Sequence, residues 1–232
     1  VDWQPLQKPA EMAESRLLEA ILSGHFPINS SLPGERDLAD QIGVTRPTLR
    51  EALQRLARDG WLDIQHGKPT RVCDYWHEGG LAVLAVLSQT PAGQSPDFVT
   101  HLLEFRVLVA PAYARQAIEV ASNEVAALLE TYPHLEDYPS AFARADWELH
   151  ILLTQLTPNP IFRFLFNGFH KLSLTIGEQY FAFPECRQHS SRFYLELLNC
   201  ARSGAAFDSE TLTRRVMEES LALWQKMQKE NL

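Results

Sequence analysis

A mostly α protein in two parts is the fold class that the sequence predicts: a small N-terminal domain of three helices closed by a β-wing, then an all-α helical bundle. Three observations carry the prediction. Residues 32–72 hold two short helical stretches joined by a tight Gly-Val turn and followed by a hairpin pattern. From Leu81 onward apolar residues recur at helical spacing, punctuated by prolines, with no alternating strand pattern. The 232 residues suit one small domain plus one medium one and are enough to bury a good core.

The first helix is marked by Met12, Leu17, Leu18, Ala20, Ile21 and Leu22 and stops near Gly24, since glycine is favoured just past a helix end. The second, Glu35 to Ile42, begins after Pro33-Gly34, carries Leu38, Ala39 and Ile42 on one face, and stops at Gly43. Thr45 can cap the third helix through its hydroxyl, and Pro47 is tolerated in the first turn because the N–H it lacks would be unpaired there. That helix runs to about Asp59, with Leu49, Ala52, Leu53, Leu56 and Ala57 as its buried stripe. Trp61–Gln65 and Thr70–Val72 read as two strands around a His66-Gly67-Lys68-Pro69 turn.

Two helices so joined make a helix-turn-helix, and the hairpin makes it a winged one. In that motif the second helix lies in the major groove of double-stranded DNA with its N-terminal residues against base edges, so Thr45, Arg46, Thr48 and Arg50 are the candidates. Arginine suits the role because its planar fork can contact guanine O6 and N7 together; the threonines can equally bond phosphate. Glu35 and Arg36, at the start of the second helix, join this candidate set. At the wing tip Gly67 permits close approach of backbone, Lys68 supplies a cation and His66 a small polar head for a minor groove. Taken singly, each feature has a plainer reading: a solvated arginine face, an ordinary cap, an ordinary hairpin turn. Their order and spacing together favour DNA.

Net charge is −8, unexpected for a DNA binder. Residues 1–75 hold nine Lys and Arg against eleven Asp and Glu, so the positive charge must act by placement. Arg36, Arg46, Arg50 and Lys68 are expected on one surface with the acids facing away, and the acidic balance should suppress nonspecific DNA affinity. Cys73, Cys186 and Cys200 have no metal-like spacing and read as reduced cysteines of a cytoplasmic protein. The longest apolar stretch, Leu81 to Leu87, is too short to span a bilayer, and no basic segment followed by an apolar run opens the chain, so a soluble, unsecreted protein without a membrane partner is expected.

Gly79-Gly80 place an inter-domain linker at 75–80, between a domain at 1–74 and one at 81–232. Helical stretches follow near 81–89, 96–118, 122–131, 138–156, 160–182, 187–203 and 208–229, separated by prolines from Pro91 to Pro184; Pro111 should kink or divide the second. A bundle attached to a DNA-binding domain usually senses a ligand in a site of apolar walls and a few polar groups. Arg106, within LLEFRVLVAP, is either a ligand contact or a buried partner for a carboxylate such as Asp146. Asp146 and His150, four apart on a helix, can also chelate a metal, although only His170 and His189 stand nearby in sequence and two ligands do not make a zinc site. The aromatics of 160–194 are mostly core. No G-x-S-x-G elbow, H-E-x-x-H pair or P-loop is present, so the chain does not read as an enzyme.

The run PGERDLADQIGVTRPTLREALQRLARDGWL resembles the N-terminal domain of GntR-type bacterial regulators, and GWLDIQHGKPTRV resembles the wing of those among them that govern fatty acid metabolism. The likeness extends through TPNPIFRFLFNG, through Ile176-Gly177 followed by Tyr180-Phe181, and through RRVMEESLALWQKMQK. It implies a homodimer that represses fatty acid degradation genes from a palindromic operator, activates synthesis genes, and leaves DNA when long-chain acyl-CoA binds, with no other cofactor and no metal. It also implies that Arg214, Arg215, Ser220 and Trp224 receive the thioester and CoA portion; the aromatic run of 160–194 is the kind of lining a long acyl chain needs, and Tyr180 would put a hydroxyl within it, with Arg106 as a further candidate acyl-CoA contact. On residue chemistry alone, Trp224 reads as core and the paired arginines as a solvated face. The alternative within the family is a regulator sensing a small carboxylate through metal, whose Asp-x3-His is completed by two later histidines; Tyr194 and Ser220 or a neighbour stand there instead. Two further departures are Pro47, where a threonine is usual, and Met217, where a glycine is usual.

Overall fold

A computed structural model describes residues 8–90 and 95–230, apart from the side chains of residues 171 and 230. Pro91, one of the expected breaks, lies outside the described residues. The chain divides into two compact units, Val1–Val86 and Leu87–Leu232.

In the first unit, α1 (Pro9–Leu22) buries Ala10, Ala13, Leu17 and Ile21, α2 (Glu35–Ile42) buries Leu38, Ala39 and Ile42, and α3 (Arg46–Arg58) buries Leu49, Ala52, Leu53 and Leu56. Each fully buried leucine contributes about 1.5–3 kcal/mol, so these stripes hold the three helices together. Gly43 ends α2 with φ of 75°, a left-handed conformation that glycine adopts without a Cβ penalty. Arg16 of α1 donates from Nη1 to the Ile42 carbonyl at 2.6 Å, satisfying one of the acceptors left over at that helix end.

The wing is smaller than its sequence pattern. β1 (Leu62–Asp63) and β2 (Arg71–Val72) pair antiparallel, Leu62 opposite Val72 and Asp63 opposite Arg71. The other edge of β2 is taken by residues 29–32: the Val72 N–H donates to the Ser30 carbonyl at 2.9 Å, and the Leu32 N–H donates to the Thr70 carbonyl at 2.8 Å. That long-range pairing anchors the hairpin base and leaves 64–69 free of ladder bonds. α4 (Leu81–Leu87) follows, with Val83 buried against Gly60, so the helix belongs to the first unit up to Val86 and the compact units divide beyond residues 75–80.

The second unit is helical among the described residues: α5 (Pro96–Leu129), α6 (Pro139–Leu156), α7 (Pro160–Asn167), α8 (His170–Phe181), α9 (Pro184–Ser203) and α10 (Ala206–Glu230). Two expectations are corrected here. α5 does not divide at Pro111; its non-helical residue is Ala121, at φ −146° and ψ 49°, within the gap expected between 118 and 122. The stretch 160–182 is two helices rather than one, because the chain leaves helical geometry at Phe169 after Gly168, where φ and ψ are −102° and 6°. α10 packs along α5, and α8 packs on α6 so closely that a Cβ on Gly177 would stand 2.9 Å from the Ala143 Cβ.

Candidate functional site

At the start of α3 the Thr45 hydroxyl accepts from the Thr48 N–H at 3.4 Å and shares a hydrogen bond of 2.8 Å with the Thr48 hydroxyl, so both threonines are committed to the cap. Arg46 is exposed and has no ionic partner among the described residues. Arg50, one turn on, donates from Nε to Glu35 Oε2 at 2.7 Å, and Arg36 donates to Asp37 at 3.1 Å. The expectation that the acids face away from these arginines is therefore overturned. Glu35 and Asp37 occupy the first turn of α2, where the positive end of the helix dipole favours carboxylates, and that turn lies beside the exposed side of α3. All four side chains are exposed, so each pair contributes at most about 1 kcal/mol and can be exchanged for a stronger partner. At the wing, Gly67 has φ of 74°, Lys68 Nζ donates to Gln65 Oε1 at 2.8 Å, and His66 is exposed.

The second unit contains a cavity with about 130 Å³ of space for the centre of a water-sized molecule. It is bounded by α5, α6, α8, α9 and α10 and by aromatic residues around α7, including Phe166 and Phe169. Among the residues singled out in the sequence, Arg106, Tyr180, Ser220 and Trp224 all line it, with Asp146 and His150. The Tyr180 hydroxyl and Trp224 Nε1 are closed off from water and have no hydrogen-bond partner among the described residues. Arg214 and Arg215 are not in the lining. They stand exposed on α10, Arg214 against Glu210 at 3.4 Å and Arg215 against Glu196 at 2.6 Å. Arg215 borders a mixed-charge groove between α9 and α10 that shares Phe193 and Val216 with the cavity wall.

A polar cluster joins α5 to α6. Arg106 donates from Nη2 to Asp146 Oδ2 at 2.7 Å, the Tyr194 hydroxyl donates to Asp146 Oδ1 at 3.3 Å, and the Tyr113 hydroxyl meets His150 Nδ1 at 2.6 Å. Arg106 thus fills both roles left open by the sequence, pairing with Asp146 while lining the cavity. Burial lowers the His150 pKa to about 3, helped by the Arg106 charge and opposed by Asp146, so the ring is neutral. Burial alone would raise the Asp146 pKa, but Arg106 and then His150 hold it below the usual carboxylate range. Asp146 and His150 do face each other, Oδ1 and Nε2 lying 3.7 Å apart, yet among the described residues no third His, Cys, Asp or Glu joins them. Both Asp146 oxygens are already engaged, one by a guanidinium that supplies the positive charge a metal would bring. Tyr113, Ala143, Trp147 and Gly177 escaped the sequence reading; only the Ile176-Gly177 run hinted at the last.

Comparison with known families places both units. Residues 9–72 match the model of "Bacterial regulatory proteins, gntR family", and residues 73–231 match that of the "FadR C-terminal domain". The chain belongs to the FadR family of gntR-type bacterial regulators. It is 39% identical over 223 residues to a fatty acid metabolism regulator protein of Klebsiella pneumoniae, covering 96% of this chain and 93% of the relative. A protein of the same description from Pasteurella multocida is 38% identical over 228 residues, covering 97% and 95%. A solved structure described as "Lar controls the expression of the Listeria monocytogenes agr system and mediates virulence" shares the fold at TM-score 0.62 and 16% identity, over 96% of this chain and 99% of that one. Like the rest of the family, this chain is a DNA-binding transcription regulator and not an enzyme. Of its two departures from the FadR pattern, Pro47 is exposed in the first turn of α3, whereas Met217 is 5% exposed and takes up space in the cavity wall. No helix among the described residues is long and apolar enough to cross a membrane.

Proposed function

We propose that this FadR-family regulator controls fatty acid metabolism in the cytoplasm by binding a palindromic operator as a homodimer and leaving it when long-chain acyl-CoA fills the helical unit. In this reading it represses degradation genes and activates synthesis genes. The observation that carries the proposal is the cavity: an apolar enclosure able to take a hydrocarbon chain, with Tyr180 and Ser220, which carry hydroxyls, and Trp224, which carries an indole N–H, in its lining as candidate partners for a thioester oxygen. Arg214 and Arg215 on the exposed side of α10 suit the phosphates of CoA, each exchanging a surface carboxylate for a phosphate. At the other unit, α3 presents Arg46 and Arg50 to base edges, Glu35 holds the Arg50 guanidinium until DNA takes it, and Gly67 and Lys68 bring the wing to the backbone. Two α3 helices in a dimer would meet half-sites roughly 34–36 Å apart. The effector acts by binding the DNA-free state more tightly than the DNA-bound one.

The test uses a palindromic probe selected by the protein itself from a random pool, with fluorescence anisotropy as the readout. Palmitoyl-CoA should release the probe and free CoA should not. Release by zinc with a dicarboxylate, and not by palmitoyl-CoA, would replace this reading with a metal-dependent one at Asp146 and His150.

A further inference from the structure

A chain of polar contacts runs along the wing from its base to its tip. Arg71 of β2 stands at the base, where Nη1 donates to Asn29 Oδ1 at 2.7 Å, Nη2 donates to Glu78 Oε2 at 3.1 Å, and Nε lies 3.8 Å from Asp63 Oδ2 of β1. The same Asp63 oxygen accepts from Gln65 Nε2 at 2.8 Å, and Gln65 Oε1 accepts from Lys68 Nζ at 2.8 Å. The Gln65 carbonyl also accepts from the Lys68 backbone N–H at 3.1 Å, so Gln65 holds Lys68 by two bonds across the turn. From base to tip a cation, a carboxylate, an amide and a second cation follow one another.

The tip needs such help, because residues 64–69 make no ladder bonds and a two-stranded hairpin is marginal by itself. A lysine carried there has a flexible four-carbon stem, and fixing it on a phosphate costs the rotamer freedom it loses. Gln65 removes part of that freedom before DNA arrives. It does so without using up the cation, since an ammonium carries three hydrogens and Gln65 Oε1 takes one of them. A carboxylate in its place would cancel the charge that a phosphate should feel, whereas a neutral amide orients the ammonium and leaves that charge whole. Asp63 fixes the amide in turn: the NH2 group faces the carboxylate, so the oxygen faces Lys68. Arg71 lies against Asp63, Glu78 and Asn29, which commits it to the protein and leaves it poorly placed to take a phosphate.

Resting on the reading above that Lys68 meets DNA, we propose that Gln65 is a positioning residue for DNA binding: anchored through Asp63 by Arg71, it aims the Lys68 ammonium at the phosphate backbone without touching DNA itself. Fluorescence anisotropy of the full chain, with a palindromic probe selected by the protein from a random pool, tests it in a double-mutant cycle. Gln65→Ala, which changes no charge, should weaken binding about three- to fivefold, the range of an exposed charged contact, and leave base preference unaltered. In a Lys68→Ala background the same change should cost nothing further. Arg71→Gln should follow the same pattern, and melting curves check that both variants stay folded. A loss that persists for either variant in the Lys68→Ala background would mean that its side chain meets DNA or shapes the whole domain, and would overturn the inference. So would full binding by Gln65→Ala where Lys68→Ala binds weakly, with the reading of Lys68 left intact. If Lys68→Ala binds as tightly as the unaltered protein, that reading fails and the inference goes with it.

Discussion

Replacing Gly177 by alanine sets two opposed effects against each other. Within a helix the change gains about 1 kcal/mol of propensity. Against this, the added Cβ would stand 2.9 Å from the Ala143 Cβ and 3.3 Å from its Cα, where carbon atoms prefer about 3.5–4.0 Å. Neither Ala143 atom can swing away, since both belong to α6, so α8 must retreat by something under 1 Å or the contact stays compressed. Overpacking of this kind costs about 1–3 kcal/mol, which places the net change between roughly zero and 2 kcal/mol of destabilisation. The pairwise term is the sharper readout. Ala143→Gly alone should destabilise by about 1 kcal/mol through propensity, whereas in the Gly177→Ala background it relieves the clash, giving a favourable coupling of about 1–3 kcal/mol. Urea unfolding followed by circular dichroism for the four members of the cycle measures it. Tyr180 is three residues beyond Gly177 and both helices line the cavity, so the single variant should also bind palmitoyl-CoA several-fold more weakly. Additivity within about 0.5 kcal/mol, with unchanged ligand affinity, would refute the close approach.

Arg46→Ala or Arg50→Ala should lose about 1–3 kcal/mol on a cognate site and relax base preference, whereas Lys68→Ala should weaken all sites evenly and reduce the salt slope by about one; selection from randomised half-sites would show otherwise if neither arginine mattered to sequence. Each pair of carbons removed from the acyl-CoA should weaken DNA release by on the order of tenfold while the chain still fits, at about 0.8 kcal/mol per methylene, which a chain-length series in the anisotropy assay checks. Acid should destabilise the helical unit through His150. Its folded pKa of about 3 lies below the ordinary 6.5, so the unfolded chain binds the extra proton between those values. Stability should hold above pH 6.5 and fall below it with a slope approaching about 1.4 kcal/mol per pH unit, reduced by that amount in His150→Phe; equal slopes for the two proteins would contradict the assignment.

What the amino-acid sequence determined alone was whatever is decided within a few residues. Glu35–Ile42 as a helix, its glycine stop at Gly43, the Thr45 cap and the buried stripe of α3 depend on period and capping chemistry, which act over three or four positions. The residues pointing at DNA were legible for the same reason, because one helix and one turn carry them. Tertiary structure decided whatever needs two elements at once. Arg50 finds Glu35 across 15 positions, Arg106 finds Asp146 across 40, and Tyr113 finds His150 across 37. No local rule ranks those partners against the other acids and rings of the chain. Their pairing follows from where side-chain packing sets each helix against its neighbour, as the approach of Gly177 to Ala143 does for α8 and α6. The same packing sets Arg106, His150, Tyr180 and Trp224 around one cavity, and so turned residues that read as core or as a structural ion pair into its walls.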